Sequence, residues 1–278
     1  MERKTEMIVD IHNHILYGVD DGPQTPDETI LLAKQAVASG IHHVIATPHH
    51  KHRHKHAFYE NDYRKILILV EEVNILLQNQ GVPLTVYPGI EFHLHDQIEH
   101  DIEYNLEHFL TLNNTGKYLL IEPPCSYLPT NTEEVLLELK RKGYSLILAH
   151  PERNKILRRY PEKIFNMVRQ GILMQVTASS LLGKDGKRLQ NFSRYIFNHN
   201  LVHLIASDAH HFSRRKFELV SAYNWIEENY TASDRSYFME NAAHILDGSD
   251  INMKEPKFIK RKLQYFFVPH QTIQTEQA

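Results

Sequence analysis

The 278-residue chain holds a single cysteine, Cys125, so no disulfide can form within it and its stability must come from an ordinary packed core. Long hydrophobic runs are missing too. The longest, such as Ile66–Val70, falls far short of the roughly 20 apolar residues a membrane-spanning helix needs. The first ten residues carry charges and no apolar stretch of the kind a secretory signal has, so the expectation is a cytoplasmic protein. Charge of one sign is not in excess either. Lys and Arg number 31 against 34 Asp and Glu, a formal net charge of -3, which excludes a global basic field for nucleic acid or membrane. No GxGxxG fingerprint follows the first apolar run, where only Gly18 and Gly22 stand, so a dinucleotide-binding sheet has no support.

Against these absences stand 20 histidines. The rest of the composition is that of a globular domain, with 42% hydrophobic and 23% charged residues. The histidines matter only if the fold brings them together, so their positions decide.

Short apolar runs rich in Ile, Val, Leu and Tyr read as strands at 7–11, 43–46, 85–90, 117–121, 144–149, 172–176 and 201–206. Helical stretches lie between them. Thr25-Pro26 opens one that Ser39-Gly40 stops; 59–80 ends at Gly81; 132–142 has Thr130 or Asn131 as its cap and Gly143 as its stop; Pro161 opens one that runs to Gln170. Residues 185–199, 215–230 and 234–246 are further helical candidates. Strand–helix alternation implies parallel strands with right-handed crossovers. About seven such units in one domain favour an α/β barrel over an open sheet. The expected organisation is one barrel over residues 1–250 and a basic, polar tail over 251–278 that frays from about Met253.

In a parallel barrel the active site forms where the strands end. His12 and His14 follow the first run, His49 the second, Glu91 the third, Glu122 the fourth, His150 the fifth, and Asp208 and His210 the last. Six of the seven strands thus end in a residue type that ligates metals. Imidazole and carboxylate suit Zn, Mn or Fe and need no thiolate. The His12-x-His14 spacing puts both rings on one face of an extended segment. A carboxylate that bridges two ions holds them close enough to clamp a phosphoryl group. Taken singly, each residue has a plainer reading. A histidine after a strand caps a loop, Glu91 pairs with an arginine, and Asp20-Asp21-Gly22-Pro23 makes a good turn. It is the joint pattern that points to a metal cluster.

The segments DIHNHILYGVDDGP, TPHH, PGIEFHL, LLIEPP, AHPERN and ASDAHH resemble the polymerase-and-histidinol-phosphatase (PHP) superfamily of metal-dependent phosphoesterases. More narrowly, VDDGP directly after HNH, together with HPER, resembles the bacterial manganese-dependent protein-tyrosine phosphatases of capsule and exopolysaccharide operons, the CpsB and YwqE type. The resemblance spans Met7 to Leu246 and implies a distorted (β/α)7 barrel with three metal ions, Mn by preference, with Fe or Zn as alternatives. It implies His12, His14, Glu91 and Asp208 at the first ion; Glu91, Glu122 and His150 at the second; and Asp21, His49 and His210 at the third. Arg153, in HPER, is implied to take the substrate phosphate. Arg215 is a second candidate, with Arg214 in reserve, and Asp20 would orient a ligand histidine or a water. The plainer role for Arg153 is a salt bridge with Glu152 or a helix cap, and for Arg215 a solvated helix start.

The implied activity is in-line hydrolysis of phosphotyrosine. The implied partner is a bacterial tyrosine autokinase that controls polysaccharide synthesis. The cysteine-phosphatase route is excluded, because Cys125 is followed by five residues and then Asn131, where that chemistry needs an arginine. Three other readings remain. One is a phosphatase of a small ester such as histidinol phosphate. Another is an amidohydrolase, against which stands the lack of a lysine at the strand ends. The third is a non-enzymatic regulator that keeps the barrel. The segment 49–56, HHKHRHKH, is expected to be a basic loop at the mouth of the site that attracts a phosphorylated or acidic peptide, with a solvated charged loop as the plainer reading and secondary metal binding as the weakest.

Overall fold

A computed structural model of the chain describes residues 7–54, 57–95 and 110–259. Its strands are β1 (Val9–Asn13), β2 (His43–Ala46), β3 (His49–His50), β4 (His52–His54), β5 (Ala57–Tyr59), β6 (Thr85–Tyr87), β7 (Glu91–His93), β8 (Tyr118–Glu122), β9 (Ser145–Ala149), β10 (Leu173–Thr177) and β11 (Leu204–Ala206). The helices are α1 (Pro26–Ala38), α2 (Tyr63–Asn79), α3 (Thr132–Arg141), α4 (Lys155–Arg159), α5 (Glu162–Arg169), α6 (Ala178–Leu182), α7 (Lys187–Asn198), α8 (Leu219–Asn229) and α9 (Ala232–Asp247).

The architecture is α/β with parallel sheets. One sheet runs β1-β2-β6 and the other β11-β10-β9-β8-β7-β3, with every pair inside them parallel. The two sheets meet where β1 ends. Asn13 bridges Ala209, the Asp208 N–H donates to the His12 carbonyl and the His14 N–H to the Ala209 carbonyl, both at 2.8 Å. The other sheet is reached directly from β2 through Thr47 and Pro48, which lead into β3. This splice gathers the strand ends of both sheets in one place.

Strands covered on both faces read as unbroken apolar runs, and β8 and β9 show it. Tyr118 and Leu120 pack on one side with Ile147 and Ala149, and Leu119 and Ile121 pack on the other with Leu146 and Leu148. The run expected over 85–90 is strand only as far as Tyr87, where Pro88-Gly89 ends β6, and a separate strand, β7, begins at Glu91. Proline has no N–H for a ladder. A Cβ at Gly89 would sit 2.9 Å from the Ile45 side chain and 3.0 Å from Leu112, so only glycine fits this close crossing.

Helix starts follow their capping residues. Thr25 accepts the Glu28 N–H at 3.3 Å, with Pro26 in the first turn. The second helix begins at Tyr63 rather than at Tyr59, because 57–59 pairs with β4 and Asp62 takes the cap, accepting the Arg64 N–H at 2.9 Å. Its stripe of Ile66, Leu69, Val70, Val73 and Leu77 is buried, as the spacing requires. The stretch expected from 215 becomes helical only at Leu219, and the one expected from 185 only at Lys187.

Residues 253–259, expected to fray, are instead held against the domain. Asn252 exchanges hydrogen bonds with Asn241, Lys257 N–H donates to the His199 carbonyl at 2.8 Å, and Ile259 is buried. Side-chain polarity misleads there because the backbone and one isoleucine do the anchoring. Residues 260–278 of the expected tail lie outside the described residues. No helix among the described residues is long and apolar enough to cross a membrane.

Candidate metal centre

The site is assembled from strand ends. His12 lies on β1 and His14 just past it; Asp20 and Asp21 sit on the loop that follows; His49 is on β3, Glu91 on β7, Glu122 on β8, His150 directly after β9, and Asp208 and His210 just past β11. Apart from Asp21, on the rim, these side chains are buried. His150 (φ 28°) and Asp208 (φ 53°) occupy left-handed backbone, which non-glycine residues adopt only where the surroundings enforce it. Both turns aim a functional side chain into the cluster.

Glu91 is at the centre. Its Oε1 is 3.2 Å from His12 Nε2 and 3.0 Å from His150 Nε2; its Oε2 is 2.8 Å from His49 Nδ1 and 3.4 Å from His14 Nε2. Asp208 Oδ1 is 3.5 Å from each of His12 Nε2, His14 Nε2 and His210 Nδ1. Asp21 Oδ1 is 3.2 Å from His210 Nε2 and 3.4 Å from His49 Nε2. Ligand atoms thus converge in groups: His14, Asp21, His49 and His210; His12, His14 and Asp208; and His12, Glu91 and His150. All nine residues expected as metal ligands come together. Glu122 differs in emphasis. Its Oε1 stays 3.9 Å from His150, while Oε2 is 3.8 Å from His49 Nδ1.

The outward nitrogens of three rings are held from behind. Gln175 Oε1 accepts from His12 Nδ1 at 2.8 Å, Asp20 Oδ2 from His14 Nδ1 at 2.6 Å, and the Asp208 carbonyl from His210 Nδ1 at 3.0 Å. In the neutral ring each bond fixes the tautomer that leaves a lone pair on Nε2, facing inward. Those buried Nε2 atoms, with Glu91 Oε2, Asp21 Oδ1 and Asp208 Oδ1, make no hydrogen bond of acceptable geometry. Buried polar atoms are seldom left so. A set of inward lone pairs and carboxylate oxygens backed by hydrogen bonds fits divalent ions.

The surrounding charges keep the carboxylates ionised, the form in which they ligate a metal. Burial alone would neutralise Glu91, yet the charges of His12 and His49 hold its carboxyl well below the usual range. Burial likewise disfavours charge on His49, but Glu91 and Asp21 push it up to about 10. Asp208 is held well below its ordinary value against burial by Arg215 and Arg153. His210 goes the other way, down to about 4, because burial and the positive His14 and Arg215 oppose its protonation.

Arg153 pairs with Asp208 and lies 3.9 Å from Asp185. Glu152, its alternative partner from the sequence, accepts the Thr177 N–H at 3.0 Å instead. Arg215 Nη2 is 2.5 Å from Asp208 Oδ2, and its Nη1 is 3.9 Å from Asp21. Both guanidinium groups therefore stand at one buried carboxylate and reach toward solvent from it, Arg215 with 41% of its side chain exposed. Arg214 is exposed. Asp20 is buried behind His14 and also accepts the His49 N–H at 3.0 Å and the Gly22 N–H at 2.9 Å, which makes it an orienting group. Gly22 has no room for a Cβ, which would collide with the His14 carbonyl. Cys125 is exposed on a loop.

The basic segment is not a plain loop. Residues 49–54 form β3 and β4, and β4 pairs antiparallel with β5; residues 55 and 56 lie outside the described ones. Sequence reasoning missed three residues here. Gln175 is an amide in the middle of an apolar run, a signal that was there to use. His52 and His93 also reach the cluster, with His52 Nδ1 and His93 Nδ1 each 2.9 Å from Glu122 Oε2.

Comparison with known proteins agrees with this geometry. The family model described as capsular polysaccharide synthesis, CpsB/CapC, matches residues 8–247. The chain is 35% identical over 260 residues to the tyrosine-protein phosphatase YwqE of Bacillus subtilis, covering 94% of this chain and all of that one. It is 36% identical over 259 residues to the CapC protein of Staphylococcus aureus, covering 93% and 99%. A crystal structure from work on YwqE and on CpsB of Streptococcus pneumoniae, described as metal-dependent tyrosine phosphatases, superposes with a TM-score of 0.84 at 35% identity over 91% of this chain and all of that one. The chain belongs to the CpsB/CapC family of capsular polysaccharide synthesis.

Proposed function

We propose that the protein is a metal-dependent protein-tyrosine phosphatase built on a distorted (β/α)7 barrel. The observation that carries the reading is the inward set of lone pairs on His12, His14 and His210, fixed from behind and facing Glu91, Asp21 and Asp208. Both the family and the description of the YwqE and CpsB structures support it. The residues that would hold the ions are His12, His14, Glu91 and Asp208 for one, Glu91, Glu122 and His150 for a second, and Asp21, His49 and His210 for a third. The mixed imidazole and carboxylate set suits Mn, Fe or Zn, and the resemblance to the manganese-dependent phosphatases favours manganese. When bound, such ions supply a nucleophilic hydroxide at neutral pH and neutralise charge on the phosphoryl group.

The chain's own residues do the rest. Arg153 and Arg215 present planar forks beside Asp208, placed to receive the phosphoryl oxygens in paired hydrogen bonds. Asp208 keeps both forks aimed. Asp20 and Gln175 hold the rings of His14 and His12. Water supplies the oxygen of the new P–O bond, the bond to the phenolic oxygen breaks, and the phenolate takes a proton. A tyrosine phenolate, with a pKa near 10, leaves far more readily than a serine alkoxide. That lowers the need for a strong general acid and favours phosphotyrosine. The proposed partner is a tyrosine-phosphorylated kinase of polysaccharide synthesis, met in the cytoplasm.

The test is release of phosphate from a phosphotyrosine peptide, a phosphoserine peptide and histidinol phosphate, using metal-stripped protein supplied with Mn²⁺ and a His150→Ala control. Release from phosphotyrosine alone, lost in the control, is the expected result. Release only from histidinol phosphate overturns the substrate, and no release with metal bound overturns the reaction class.

A further inference from the structure

A further convergence of metal-ligating atoms stands at the mouth of the proposed centre, sharing His49 and Glu122 with it and adding His52. Its members come from three different elements: His49 on β3, His52 on β4 and Glu122 on β8. His52 Nδ1 is 3.0 Å from His49 Nδ1 and 2.9 Å from Glu122 Oε2, and His49 Nδ1 is 3.8 Å from that same oxygen. His93 closes on it from β7, where the register sets it opposite Glu122. Its Nδ1 is 2.9 Å from Glu122 Oε2, and its ring stacks on His52 with centroids 4.5 Å apart and 20° between planes.

These spacings are those of a coordination sphere. Four ligands on a tetrahedral ion with bonds of about 2.0–2.1 Å lie about 3.3 Å from one another. The measured values of 2.9, 3.0 and 3.8 Å bracket that figure. The side chains are nearly but not wholly buried, with 14% of His52 and 15% of His93 exposed, so an ion has a way in from solvent. Glu122 faces two ways, with Oε1 toward His150 and Oε2 toward the three rings. It can serve this site with one oxygen and the inner centre with the other.

We infer that His49, His52 and Glu122, with His93 completing or orienting the carboxylate, form a further cation site for a zinc-class ion at the mouth of the proposed centre. Two imidazoles and one carboxylate, with the third imidazole of His93 at hand, make a nitrogen-dominated set of the kind that holds Zn²⁺. Such an ion ties β4, and through it the β4–β5 hairpin, to the sheet by way of β8. It also fixes the position of His49, which belongs to both sets. The site goes beyond the phosphatase reading through His52 and His93, which have no part in it, while His49 and Glu122 serve both.

The test is metal stoichiometry. The full chain is stripped with chelator, equilibrated with Zn²⁺ alone, desalted, and its zinc counted by mass spectrometry beside H52A/H93A. The double variant is expected to hold one equivalent less than the unsubstituted protein. H52Q and H93Q, each tested singly by calorimetric titration with Zn²⁺, keep the side-chain bulk and are expected to weaken the last equivalent at least tenfold. They serve where the double variant does not fold. Equal zinc content and unchanged titrations overturn the site. Phosphotyrosine hydrolysis with Mn²⁺ is a separate readout, so loss of the phosphatase reading and loss of this site give different results.

Discussion

Buried histidines occur at both ends of the parallel strands, and the two ends treat them in opposite ways. At the entry to β11, His203 accepts the Met174 N–H on Nδ1 at 3.0 Å, and burial drives its pKa down to about 4. At the exit of β1, His12 is equally buried, yet Glu91 and Asp208 raise its pKa against that burial. One ring is a neutral packing element with a hydrogen bond. The other sits among carboxylates with its far side held by Gln175. Burial therefore does not make a histidine functional. What distinguishes the exit end is the company of carboxylates and a fixed tautomer.

The largest expected effect comes from breaking the exit end. Asp208→Asn keeps the shape and tolerates the left-handed backbone, but it removes a ligand oxygen and leaves Arg153 and Arg215 without their shared partner. Phosphotyrosine hydrolysis should fall on the order of 10³-fold, with the thermal transition of the metal-free protein little changed. A variant within tenfold of the original would show that Asp208 is only packing.

The entry end responds to pH. His203 is held neutral in the fold, so its contribution is fully present above about pH 6.5 and is lost as pH falls toward its folded value of about 4. Denaturant unfolding in chelator should show the stability gap between the original chain and His203→Gln shrinking on acidification. The limit is about 1.4 kcal/mol per pH unit across that window. Parallel curves would mean that His203 takes up its proton without cost to the fold.

Smaller effects sharpen the contrast. Gln175→Leu frees the His12 tautomer and should weaken metal binding about 10–100-fold, which titration with Mn²⁺ would measure. Unchanged affinity would remove Gln175 from the account. Thr25→Ala, far from either end's chemistry, should cost about 1 kcal/mol through the lost helix cap and leave activity per folded molecule as it was. A change in the pH dependence or metal affinity of that variant would contradict its purely local role.

Much of this was legible because strand ends and ligands coincide in the chain. His12, His14, Glu91, Glu122, His150 and Asp208 each close an apolar run, so a parallel sheet alone brings them near one another. The caps at Thr25 and the stop at Gly40 were local, and local signals survive folding. What escaped depended on tertiary contact. Strands β3 to β5 are two or three residues long, too short for a period to show, and HHKHRHKH has the composition of a solvated loop. Nothing in EFH distinguishes His93 until register puts it opposite Glu122. Asn131 has a capping residue's chemistry, yet it makes no side-chain cap bond; the Thr132 hydroxyl instead donates to the Pro129 carbonyl. Ile259 docks a segment whose neighbours are polar, which composition averages away.

The most direct test of the central claim, that the strand ends hold catalytic metal, is one titration with two readouts. Protein stripped by chelator is given Mn²⁺ in steps, while bound manganese per chain and phosphotyrosine release are followed in the same samples. The stripped protein is expected to show no turnover, and its rate to rise as the sites fill, with both readouts lost together in Asp208→Asn. Full turnover in protein shown to hold no metal would contradict it.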